Sequence, residues 1–119
     1  MKQISDTERQ NRDKLFRLML ENPDLPVIPF VDWEIVGNGF GTWIGSWGAA
    51  RVDEFIFPQQ DFEPVIFKSN DNVLDTLERC LPEEQADALP DTVAECRPYY
   101  DALPWTKAII VNIDMPEVW

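Results

Sequence analysis

Four carboxylates in the middle of the chain are the first residues whose types could do chemistry: Asp32 and Glu34, then the adjacent Asp53 and Glu54. Asp32 and Glu34 alternate with Trp33 and Ile35, so they share one face of a predicted strand, while Asp53 and Glu54 point to opposite faces. If those strands pair, Asp32, Glu34 and one of the later two converge, as a Mg²⁺ site or an acid–base pair requires. That would make a carboxylate-based, metal-dependent enzyme. No lysine follows at the spacing of a metal-dependent nuclease core, and eighteen acids beyond residue 21 also produce such coincidences by number alone. Solvated strand faces are the simpler expectation. Composition removes other chemistries. The chain has no histidine, which excludes the usual Ser-His-Asp and Cys-His nucleophiles and histidine-ligated zinc. Its two cysteines, Cys80 and Cys96, lie outside any C-x-x-C spacing and are expected as small buried hydrophobes. No cofactor and no metal are expected.

A glycine-rich stretch, VGNGFGTWIGSWG over 36–48, holds all five glycines of the chain. A dinucleotide fingerprint starting at Gly37 would need glycine or alanine at Thr42, and one starting at Gly39 would need it at Ile44. No lysine follows as a P-loop demands, and Trp43, Ile44 and Trp47 favour a strand over the required helix. The phosphate-cradle reading therefore fails. Asn38-Gly39 instead suits a tight hairpin turn. Beyond it Gly45 spaces Trp43 and Trp47 on one strand face, leaving room for a ring such as Trp33. An aromatic core cluster is the first expectation, and an exposed platform for a partner is the alternative.

Charge is the strongest compositional feature. Twenty-two acids and ten bases give −12. The balance is uneven, at +1 over residues 1–21 and −13 over 22–119. Such a chain repels phosphate and anionic lipid, so neither nucleic acid nor membrane is an expected direct partner. It attracts a basic surface, including one built to hold nucleic acid. Within 69–101, Asp71, Asp75 and Glu78 fall at i, i+4 and i+7, one face of a predicted helix. Glu84 and Asp87, then Asp91 and Glu95, extend the series. Carboxylates so arrayed imitate a row of phosphates, although a solvated helix face needs no such role.

The elements that position these residues follow from periodicity and caps. Ser5, with Glu8 three residues on, is a capping-box pattern for a helix over 5–21, with Leu15, Leu18, Met19 and Phe16 as its apolar stripe. Asn22-Pro23 ends it. A strand cluster over 25–68 follows, with strands at 25–36 (Pro26 and Pro29 marking a sheet edge), 43–47, 51–57 and 64–68. An acidic helical region over 69–103 starts with a helix over 71–81 capped by Ser69 or Asn70, with Val73, Leu74, Leu77 and Leu81 inward. A short turn over 83–89 precedes a helix from Asp91 to Ala102 with Val93 and Tyr99 as apolar members. The nearly unbroken apolar run TKAIIVNI marks 106–114 as a strand buried on both faces. This order predicts one α+β domain over 1–119, N-terminal helix first, with a four- to five-stranded, mainly antiparallel sheet and helices on one face. No apolar run reaches the roughly 20 residues of a membrane helix, and the polar N-terminus lacks a signal-peptide core, so a cytoplasmic location in a host cell is expected.

Three segments carry a resemblance: NRDKLFRLMLENPDLPVIPFVDWEIV (11–36), GTWIGSWGAARVDEF (41–55) and ALPWTKAIIVNI (102–113). Over most of its length the chain resembles small uncharacterised acidic proteins of phages, prophages and other mobile elements of Firmicutes. No assigned activity or catalytic residue comes with that resemblance. It implies an accessory factor that binds and blocks a host protein, of the anti-CRISPR or anti-restriction kind. The expected function is therefore non-enzymatic: an acidic surface, carried by Asp71, Asp75, Glu78, Glu84 and Asp87 with Trp43 and Trp47 as possible anchors, engages a basic host nucleic-acid enzyme. A stable acidic domain with a purely structural role is the plainer alternative.

Overall fold

The computed structural model describes residues 4–36, 41–58 and 65–116. The hairpin turn expected at Asn38-Gly39 falls outside them. Helix α1 spans Asp6–Glu21. Ser5 Oγ accepts the Glu8 amide at 3.0 Å, the cap anticipated from the sequence. Asn22 ends the helix by returning its own amide to the Leu18 carbonyl at 2.9 Å.

Strands β1 (Val27–Val31), β2 (Ser46–Ile56), β3 (Ile66–Phe67) and β4 (Thr106–Asp114) form one sheet in the order β1-β4-β2-β3. The fold is α+β, as expected, and β4 is an interior strand. The sheet is mixed, however. β1 runs parallel to β4, from Val27 opposite Ile109 to Val31 opposite Ile113, whereas β2 and β3 are antiparallel. The whole intervening chain joins β1 to β4, and so long a connection permits the parallel pairing that a hairpin forbids. β1 lies at the sheet edge, where Pro29 costs no ladder bond. The two strands expected at 43–47 and 51–57 are one: β2 runs without a break from Ser46 to Ile56, with strictly alternate burial over Ser46–Ala50.

Two compact units divide the chain, one made of residues 1–52 with 108–119 and the other of 53–107. In the first, Leu15 of α1 packs with Ala50, Ile109 and Val111, with Leu18, Leu25 and Val52 at the margin. Phe16 and Met19, expected in the apolar stripe of α1, are exposed, because only the Leu15 side of the helix meets the sheet. The N-terminal part of β2 has no strand beyond it among the described residues, and α1 bonds to it at Trp47. Glu8 Oε1 accepts the Trp47 amide at 3.1 Å, and Asn11 Nδ2 donates to the Trp47 carbonyl at 3.0 Å. Covering an edge in this way removes a pairing template.

The second unit holds α2 (Val73–Cys80), α3 (Glu83–Asp87) and α4 (Val93–Asp101). A 3-10 turn over Lys68–Asn70 precedes α2. Its core is Val73, Leu77, Cys96 and Tyr100, packed against Leu81, Leu89, Leu103 and Trp105. Leu74, Val93 and Tyr99, expected inward, are exposed. Their places on α2 and α4 are taken by Thr76, Cys80, Cys96 and Tyr100, because these two helices turn a different side to each other. The N-cap of α4 is Thr92, whose hydroxyl accepts the Glu95 amide at 3.2 Å, and not Asp91. Tyr100 donates to the Lys68 carbonyl at 2.7 Å, and its own carbonyl accepts from Trp105 Nε1 at 2.8 Å. Both cysteines are buried, and burial raises the pKa of the Cys80 thiol against the lowering effect of Arg79. Neither is built as a nucleophile.

Gly48 marks the tightest approach in the first unit. A Cβ there would stand 2.8 Å from the Asn112 carbonyl oxygen and against the Asp114 carboxylate. Gly48→Ala should therefore lower stability by about 1–3 kcal/mol, the range for forced overpacking. Denaturant unfolding checks this, and an unchanged midpoint would show that β4 gives way without cost.

Candidate functional site

Of the four carboxylates weighed first for chemistry, Asp32, Asp53 and Glu54 are committed to local structure and Glu34 is exposed. Asp32 and Glu34 do not share a strand face, since β1 ends at Val31 and they stand in the turn that follows it. Asp32 Oδ1 accepts the Glu34 amide at 2.9 Å, and the Asp32 carbonyl accepts the Ile35 amide at 3.0 Å. Asp side chains stabilise turns in this way. Asp53 is buried: Oδ2 accepts the Ser69 hydroxyl at 2.5 Å, and Oδ1 accepts the Glu54 amide at 2.8 Å. Glu54 faces Lys68, with Nζ 3.4 Å from Oε2. Among the described residues, no three carboxylates or thiols are grouped as a metal ion would need.

The tryptophans do not form the expected core cluster. Trp33, Trp43 and Trp47 are 81%, 42% and 44% exposed. The space over Gly45 is filled by Ile113 and Ile35, not by an indole. Trp43 precedes β2, so the two-residue alternation that would put it on a face with Trp47 does not reach it. Together with Glu34, Ile35, Ile44 and Met115 it lines a cavity of about 330 Å³ in the first unit. The alternative, an aromatic surface available to a partner, is what the exposure allows.

The acidic residues lie in the second unit, where thirteen acids and four bases over 53–107 leave −9. Three of those bases are held by the unit's own carboxylates. Lys68 lies 3.4 Å from Glu54 and 3.8 Å from Asp101, and 6.0 Å from the centre of the Trp105 ring. Arg79 Nε meets Asp75 Oδ2 at 3.3 Å, one turn away on α2. Arg97 holds Asp71 with two bonds, 2.8 Å from Nη1 to Oδ1 and 3.2 Å from Nη2 to Oδ2.

Asp71 does not continue the face of α2. It precedes the helix with φ 56°, the left-handed region that aspartate tolerates better than most residues. Asp75 and Glu78 do lie on α2, but Asp75 is offset by Arg79. Glu78, Glu83, Glu84, Asp87, Asp91 and Glu95 are exposed, and among the described residues they show no ion pair. The structure thus brings Glu78 and Asp87 together, with Asp91, in one cavity of about 330 Å³ also lined by Leu74, Ala86 and Leu89. Glu84 stands outside it.

Sequence reasoning missed a neighbouring feature of the same unit. A groove of about 450 Å³ opens between the end of α2, the turn after α3 and the end of α4, lined by Leu81, Ala88, Leu89, Tyr99, Ala102 and Leu103 among others. Its only trace in the sequence is the repeated Ala-Leu-Pro at 88–90 and 102–104, each just past a helix end. Leu89 borders both cavities, so an apolar groove and an acidic pocket adjoin.

Comparison of the chain with protein-family models, with curated proteins and with solved structures finds no match. No helix among the described residues is long and apolar enough to cross a membrane.

The Arg97 bonds hold the Asp71 carboxyl below its ordinary pKa, against a smaller opposing effect of desolvation. A carboxylate whose folded pKa is depressed adds stability above its unfolded pKa and loses it as pH falls through the folded one. The side-chain resonance of Asp71 should therefore titrate below the unfolded value for aspartate, and Arg97→Gln should move the midpoint upward. An unmoved midpoint would show that the pair does not persist in solution.

Proposed function

We propose that the protein is a non-enzymatic, protein-binding factor whose acidic second unit engages a basic surface on a partner, of the kind that holds nucleic acid. One observation carries this reading. Three of the four bases of that unit, Lys68, Arg79 and Arg97, are drawn to Glu54, Asp71, Asp75 and Asp101, while among the described residues six exposed carboxylates over 78–95 show no ion pair. A surface made acidic only for solubility mixes both signs. Over 78–95 those six acids face one base, Arg79, itself paired with Asp75, and such an excess steers encounter with a cationic partner and rejects an anionic one. The resemblance to proteins of phages and mobile elements adds the context: an accessory factor that occupies the nucleic-acid channel of a host enzyme, such as a CRISPR or restriction effector. The half-exposed Trp43 and Trp47 are further contact candidates in the first unit.

The test is capture from host lysate at low salt, followed by competition with duplex DNA for the captured protein. Raising salt from about 0.1 M to 1 M shortens the screening length from about 10 Å to about 3 Å, so a complex of this kind dissociates steeply. Glu84→Lys combined with Asp87→Lys should weaken binding about tenfold, on the scale of two exposed ion pairs lost and made repulsive. Binding that ignores salt, DNA and charge reversal would sink the proposal.

A further inference from the structure

We infer that the apolar groove of the second unit anchors a basic amphipathic segment of a partner protein. One large aliphatic or aromatic side chain of that segment enters the groove, and lysines or arginines beside it meet the surrounding acids. The inference rests on the acidic-surface reading and adds to it a place and a chemistry of contact.

Size and lining come first. Leu81, Leu89 and Leu103 with Tyr99 give an apolar lining, and Ala88 and Ala102 are both exposed, so small side chains keep the groove open to solvent. Its volume of about 450 Å³ falls within the roughly 300–1,000 Å³ of ligand-binding clefts. Charge then selects the occupant. Leu89 also borders the pocket of Glu78, Asp87 and Asp91. Glu84 stands one helical turn before Ala88, and Glu95 one turn before Tyr99 on α4. An anion entering the groove is repelled by these carboxylates. A purely apolar occupant would dehydrate them with nothing in exchange. A segment with an apolar stripe flanked by cations satisfies both, which is the helix-in-groove mode of recognition.

The experiment uses the full chain and two fluorescein-labelled probe peptides. One carries leucines at i, i+3, i+4 and i+7 in a lysine-rich helix; the other has serine at those positions and the same charge. Fluorescence anisotropy should show the leucine peptide binding at least tenfold more tightly, the scale of burying one leucine side chain. Ala88→Trp and Ala102→Trp, each at an exposed position, should abolish that advantage while thermal unfolding stays within a few degrees. Glu84→Gln with Glu95→Gln should weaken both peptides several-fold. Equal, salt-sensitive binding of the two peptides would overturn the groove anchor and leave the acidic-surface reading standing. A leucine advantage that survives both tryptophan variants would place the apolar contact elsewhere and also overturn it. No binding of either peptide would remove both readings. Self-association of the wild type that the tryptophan variants abolish would make a second copy the occupant, and the partner inference would fall.

Discussion

The structure depends on a strand that has no wet face. Ala108, Ile109, Ile110 and Val111 of β4 are essentially inaccessible to solvent. A strand in that position needs a neighbour on each edge and apolar cover on both faces, or its amides and side chains lose more than burial returns. β1 and β2 provide the edges. The need for close approach explains Gly48, where any side chain would strike the backbone of β4. On one face Leu15 of α1 closes over Ile109 and Val111. Docking α1 there is also what brings Glu8 and Asn11 within reach of Trp47. The cap at Ser5, the short edge strand with its proline and the helix bound to β2 all serve the same burial.

The second unit is organised by polar bonds as much as by apolar area. Tyr100 is 1% exposed, yet its hydroxyl donates to the Lys68 carbonyl and its carbonyl accepts from the Trp105 indole. A buried aromatic with both polar ends satisfied fixes α4 against the 3-10 turn and the entry to β4. The same turn presents Lys68 to Glu54 and Asp101, and places Ser69 against the buried carboxylate of Asp53. Acids that look catalytic in isolation are thus the means by which a strand, a turn and a helix are joined.

What could be read from the sequence was local. The Ser5 cap, the stop at Asn22-Pro23 and the apolar run of β4 depend on residues within a few positions of each other, and each forms as expected. What could not be read depends on distant partners. Asp71 looks like the start of a helix face, but it is turned aside and held by Arg97, 26 residues later in the chain. The room over Gly45 looks made for an indole, yet Ile113 of β4 takes it. The parallel pairing of β1 with β4 has no local mark, because a long connection leaves strand direction open. The apolar groove was hidden for the same reason. Leucines and alanines from three helix ends make it, and none of them has a periodicity that points to a cavity.

The remaining question about the acids is whether the fold itself explains where they stand. For several it does. Asp75, Glu83, Glu84 and Glu95 lie in the first turns of α2, α3 and α4, where the partial positive charge of the helix end stabilises a carboxylate. Asp71 and Asp75 also have arginine partners. Among the described residues, Glu78 and Asp87 have neither benefit. Glu78 lies beyond the first turn of α2, and Asp87 is the last residue of α3, the end where a negative charge is disfavoured. Both line one pocket with Asp91, so their mutual repulsion adds to the cost. Helix formation and internal pairing would favour other residues at these positions. A cation supplied from outside the chain reverses the sign of the cost. For that reason Glu78 and Asp87, beside the groove at Leu89, support the proposed binding role more sharply than the total charge does.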